Sequence, residues 1–137
     1  MLDRCRTGHL EGMPFSASRR EPGVVAGPAH GLGRLIVLVQ PVAADEVATP
    51  HHHHGDQLLR VLDGEVLVEV DGEARTCRAG DVAIAPAGAV HTFRGLGAPA
   101  LLEVIGEQRC RTFFVTADGE REVHRPGVPW DTDPPDG

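Results

Sequence analysis

The sequence predicts an all-β domain, a sandwich or a barrel with very little helix. Three observations predict it. Short segments rich in β-branched and aliphatic residues recur at roughly 8–12-residue spacing. Asp-Gly pairs fall beside several of them, at 63–64, 71–72 and 118–119, and Asp-Gly between alternating segments is the strongest short-range hairpin signal. No window of useful length carries the 3.6-residue apolar repeat of an amphipathic helix.

Residues 1–30 are rich in Gly, Pro, Arg and Ser with little periodicity, and read as an N-terminal arm, partly ordered or swapped into a partner, or as an edge strand. Residues 31–118 hold the barrel. RLIVLVQP, bounded by Gly33 and Pro41, is long enough for one strand. After a run of four histidines, QLLRVL and EVLVEV flank Asp63-Gly64, and EVLVEV and EARTC flank Asp71-Gly72, which predicts two tight hairpins in succession. DVAIAP, VHTFR, ALLEVI and RTFFV continue the strands, with turns at Ala79-Gly80, Ala87-Gly88 and Gly95 to Pro99. Residues 119–137 form an acidic, proline-rich C-terminal tail, read either as a disordered end or as a flap in which Trp130 docks on a neighbouring surface.

A chain of 137 residues fits one domain and buries roughly two thirds of the surface its unfolded form exposes. Its formal charge is −7 and its arginines are scattered, so no basic stripe suits a nucleic acid. Lysine and tyrosine are absent, which excludes a Schiff-base lysine and a tyrosine acid or base. Cys5, Cys77 and Cys110 are an odd number without CxxC spacing, the pattern of small buried hydrophobes in a reducing compartment. No apolar run approaches the roughly 18 residues that cross a bilayer, and the N-terminus lacks the apolar stretch of a secretory signal. The expected location is the cytoplasm.

The chemistry is concentrated in PHHHHGDQLLRVLDG, residues 50–64. A histidine run reads as a solvated tract, an engineering remnant or part of a metal site. In a strand, side chains two apart share a face, so His51 and His53 point one way while His52 and His54 point the other. If the extended register continues, Gln57, Leu59 and Val61 join the first face. A further donor must come from elsewhere, and His91, after the turn segment PAGAV, is the candidate.

His51-x-His53-x3-Gln57-x6-Gly64 resembles the first motif of the cupin superfamily, with glutamine in place of its usual glutamate. Gly80-x5-Pro86-x-Gly88-x2-His91 resembles the second, with Gly95 where that motif ends in asparagine. The resemblance implies a double-stranded β-helix, or jelly-roll barrel, holding a divalent metal ion. Its ligands would be His51, His53 and His91, with Gln57 in the fourth place, and Pro86 and Gly88 would build the turn that presents His91. It also implies a small-molecule substrate or ligand and a homodimer, to which the strand near Arg34 to Gln40, taken as an edge, and the N-terminal arm would contribute.

An amide oxygen brings only a dipole where a carboxylate brings a charge, so the cation keeps its full charge and acts as a stronger Lewis acid. Gln57 reads either as a weak ligand or as a non-coordinating neighbour. Imidazole donors leave iron, zinc, manganese, nickel, cobalt and copper open. By resemblance, an all-histidine set suits an Fe(II)-type dioxygenase. The alternatives are an isomerase, lyase or polyketide cyclase using the metal as Lewis acid, and a non-catalytic cupin that senses or binds a small ligand. Strand parity puts Arg60 and Arg94 outside the barrel, leaving no internal arginine clamp for an anion. Glu103 is open between an inward and a solvent-side placement.

Overall fold

Eleven strands carry the described part of the chain, residues 22–123 of this computed structural model. Cys5, Met1 to Glu21 as a whole, and the tail from His124 with Trp130 lie outside the described residues. In chain order the strands are β1 (Gly23–Ala26), β2 (Leu35–Val42), β3 (His51–His53), β4 (Gln57–Asp63), β5 (Glu65–Val70) and β6 (Glu73–Arg78). They continue with β7 (Val82–Ala85), β8 (His91–Gly95), β9 (Ala100–Glu107), β10 (Thr112–Thr116) and β11 (Gly119–Val123). Among the described residues the one helical element is a short 3-10 turn at Pro28–His30. No helix there is long and apolar enough to cross a membrane.

Two antiparallel sheets face each other, in the orders β1-β2-β9-β4-β7 and β11-β10-β3-β8-β5-β6. The chain shuttles between them, which makes the architecture a jelly-roll double-stranded β-helix, the fold class expected. Alternation along each strand decides which side chains meet in the middle. Ile36, Leu59, Val61, Val66, Val68, Phe93, Leu102 and Val104 form one buried cluster drawn from both sheets. Val66 and Leu102 are 0% exposed, and burying such a side chain stabilises by roughly 1.5–3 kcal/mol.

Three local expectations are corrected. Asp63-Gly64 is not a hairpin turn: β4 pairs with β7 and β9, whereas β5 pairs with β6 and β8. Gly64, at φ 81, turns the chain from one sheet into the other. Asp71-Gly72 does close a hairpin, with Val70 opposite Glu73 and φ of 49 and 86 at the two turn residues, the paired left-handed conformations of a type I′ turn. Second, β2 is not an edge strand. It lies between β1 and β9, and β1, from within the expected arm, takes the edge. Third, the extended register does not run from the histidines to Gln57, because β3 and β4 belong to different sheets. The sheet also continues through β11, which reaches Val123 and so enters the segment assigned to the tail.

Candidate metal centre

β3 is three residues long, yet it supplies two imidazoles to the interior. Its ladder to β10 pairs His53 with Thr112, His52 with Phe113 and His51 with Phe114. Its ladder to β8 consists of one pair, His51 with His91. That single pair puts the third imidazole directly across the strand from the first. The expected turn delivers it: Ala89 N donates to Pro86 O at 2.9 Å, and Gly88 N donates to His53 O at 2.8 Å. Ala87 N donates to Asp56 Oδ1 at 2.8 Å, so the two motif segments are bonded to each other, not merely close.

One ring nitrogen from each of His51, His53 and His91 lies within 4.8 Å of the other two. The ring centroids of His51 and His91 are 4.3 Å apart, and those of His53 and His91 5.4 Å. His53 and His91 are each 2% exposed. Among the described residues no cysteine or carboxylate joins this group.

The opposite ring nitrogens are all engaged. His51 Nδ1 donates to Thr49 O at 2.7 Å, and His91 Nδ1 donates to Ala89 O at 3.0 Å. A carbonyl can only accept, so these rings carry their proton on Nδ1 and present a lone pair on Nε2. His53 Nδ1 meets Thr112 Oγ1 at 2.9 Å, a hydroxyl that can donate or accept. The Nε2 of His91 is buried with no hydrogen-bond partner, a costly state for a polar atom and the one a cation would relieve. Burial, the largest cause, pushes the His91 pKa below its usual 6.5, partly opposed by the bond to Ala89 O. The ring is thereby held neutral, the form that ligates metal. Donor type, tautomer and convergence therefore fit a divalent ion held by His51, His53 and His91, and imidazole donors suit iron, zinc, copper, nickel or cobalt.

Gln57 starts β4 on the facing sheet and is 4% exposed. Its cross-strand partner is Gly106. A Cβ there would stand 3.1 Å from Gln57 Cγ and 3.3 Å from Nε2, so the bare glycine makes the room in which the amide side chain lies. His52 and His54, which match no ligand position, stay outside the group.

Arg60 sits on the outer face as parity predicts, and its guanidinium reaches Glu103 Oε1 at 2.8 Å. Glu103 thus faces away from the interior, but it is buried rather than solvated. Arg94 is exposed. Thr112 was missed by sequence reasoning: 59 residues separate it from His53, and nothing local in RTFFV marks its partner.

These features define a class: a double-stranded β-helix with three convergent interior imidazoles that could hold a metal ion. The chain belongs to the cupin superfamily: the family described as "Cupin domain" matches residues 38–105, which span all three histidines. Among solved structures, KdgF from Halomonas sp. is 28% identical, with 62% of this chain and 74% of that one covered at a TM-score of 0.57. TT1209 from Thermus thermophilus is 27% identical, with 72% and 92% covered at 0.56. A sugar phosphate isomerase from a cupin superfamily of Silicibacter pomeroyi is 23% identical, with 77% and 78% covered at 0.59, and shares the fold. A comparison with curated proteins finds no match.

Proposed function

We propose that this cupin is a metal-dependent enzyme acting on a small organic molecule, in the first instance a dioxygenase of the Fe(II) type, with Gln57 as the fourth group at the ion. The observation that carries the reading is the donor set: three imidazoles, two of them with the tautomer fixed by a backbone carbonyl, joined by no carboxylate among the described residues. The ion, when bound, supplies redox or Lewis-acid chemistry. The chain supplies orientation through the Nδ1 bonds and a dry wall of apolar side chains from both sheets.

A second reading, an isomerase or lyase that uses the ion as a Lewis acid, is favoured by the undiminished charge of the same donor set and by the fold shared with the sugar phosphate isomerase. For a phosphorylated substrate the placement of Arg60 and Arg94 is adverse. One is tied to Glu103 on the outer face and the other is exposed. A binding module without turnover is the third outcome.

Metal analysis of protein purified without nickel resin, followed by oxygen uptake with thiols, diketones and phenolic acids, separates these. Iron with substrate-dependent uptake is the expected result. Zinc or nickel with no uptake moves the function to Lewis-acid chemistry, and ligand binding with neither leaves a sensor.

A cytoplasmic location is proposed with it, since Cys77 and Cys110 are both free buried thiols. So is a homodimer. On the outer face of the five-stranded sheet, Leu58 lies cross-strand from both Ile84 and Ile105, Leu35 lines the same surface as Leu58 and Ile105, and Val82 is two residues from Ile84 on β7. Ile84 is 63% and Val82 49% exposed. The adjacent Arg60 and Glu103 neutralise each other, while Arg34, Asp56 and Glu107 line the edge of the same surface. A two-fold contact brings the same apolar patch from each side. Ile84→Glu is expected to turn a dimeric elution on a sizing column into a monomeric one; a monomeric wild type removes the proposal.

A further inference from the structure

The two histidines that ligate nothing have their own structural setting. His52 and His54 alternate with His51 and His53, so they stand on the outer face of β3. There the ring of Phe113, from β10, takes both: His52 stacks on it at 5.0 Å and 14°, and His54 lies against it at 5.0 Å and 32°. His52 Nε2 also donates to Glu120 Oε1 at 2.6 Å, which ties β3 to β11 across β10. His54 N donates to Arg111 O at 3.3 Å and Val115 N donates to Pro50 O at 2.8 Å, extending the ladder past both ends of β3. On the inner face of the same β10 residues, Thr112 meets His53 Nδ1 and Phe114 lies edge-on to His51 at 6.2 Å.

On its other side β3 shares one register pair with β8, His51 with His91, and His53 O accepts from Gly88 N at 2.8 Å. Toward β10 it has three register pairs, and the ladder runs on past both ends, so the β10 side is the longer hold on the position of this short strand.

We propose that Phe113, together with His52, His54 and Glu120, is an external clamp that positions the metal ligands. Gripping the outward histidines fixes the twist and register of β3 on β10, and this sets where the inward rings of His51 and His53 point. The four-histidine run is then two interleaved pairs, one for an ion and one for Phe113. The inference rests on His51, His53 and His91 being the ligands. It adds residues that touch neither ion nor substrate.

Cobalt(II) is the probe, because its visible absorption reports ligand geometry, and hydrogen exchange of the apoprotein is the independent arm. Phe113→Ala is expected to weaken Co2+ binding about tenfold, the low end for residues that orient metal ligands. It should also alter the intensity and position of the visible bands and speed amide exchange at His52 to His54 in the metal-free protein. Phe113→Tyr, which keeps the ring, should restore all three. His54→Ala, at an exposed position, should show the same changes in weaker form and serves if Phe113→Ala does not fold. A folded Phe113→Ala protein with wild-type affinity, spectrum and exchange overturns the clamp. Wild-type protein that refuses cobalt overturns the metal reading beneath it, an outcome distinguishable because the exchange arm needs no metal.

Discussion

Replacing His91 by alanine is expected to leave a folded protein that no longer retains a divalent ion through desalting. The three imidazoles come from two strands, and His91 is the sole contribution of β8. Without it, two rings on the same short strand remain. Even a residue that only orients a ligand costs 10–100-fold in affinity, so loss of a ligand is expected to cost roughly 100-fold or more. The fold tolerates the change for a specific reason. In the metal-free protein the His91 ring already bears a buried Nε2 with no hydrogen-bond partner and a pKa lowered by burial, so its removal relieves one cost while opening a cavity.

Thermal unfolding with and without metal reads this directly. At an ion concentration about 100 times Kd, the wild type gains roughly 2.7 kcal/mol through mass action, a shift of several degrees for a domain of this size. The His91→Ala protein should gain nothing, and a His30→Ala control, altered in the 3-10 turn, should behave as wild type. Retention of the ion by the His91 variant would sink the assignment.

His91 was legible from the sequence because its signal is local: a Pro-Ala-Gly turn, then histidine on the same strand face as Phe93. The strands were legible too, since the alternation of RLIVLVQP or EVLVEV states its own period. What was not legible is which strands become neighbours. Asp-Gly at 63–64 and at 71–72 looks identical in sequence, yet one turns the chain between sheets and the other closes a hairpin. The two differ in their surroundings: a Cβ on Gly64 would stand 2.9 Å from Ala100 Cβ and 3.0 Å from Pro99 O, whereas one on Gly72 would meet nothing within 4 Å, and those neighbours lie far along the chain from the pattern. Thr112 and Phe113 escaped notice for the same reason, because β10 joins β3 only when the second sheet assembles. Glu103 was undecidable between core and solvent, and the structure chose a third state, buried on an outer face against Arg60.

Placing asparagine at position 95, where the resembled motif ends, is expected to destabilise the protein by roughly 3 kcal/mol, the top of the usual range for overpacking. Gly95 is needed for space, since its φ is not among the positive ones. An added Cβ would stand 2.1 Å from Ala43 O, 2.7 Å from Ala44 O and 2.8 Å from the Ala44 carbonyl carbon. These are backbone atoms, and they are bonded in place: Gly95 N donates to Glu46 O at 2.9 Å, Gly97 N to Ala44 O at 2.9 Å and Glu46 N to Ala43 O at 3.1 Å. Relieving the overlap means breaking that set, so the departure from the motif follows from how closely the segment after β2 crosses the end of β8. Gly95→Ala carries the same Cβ and should cost nearly as much. Gly33→Ala, where a Cβ meets nothing within 4 Å, should stay within about 0.5 kcal/mol of wild type. Urea unfolding of the three variants checks this, and a Gly95→Asn protein as stable as its Gly33→Ala control would mean that residues 43 and 44 do not pack against β8.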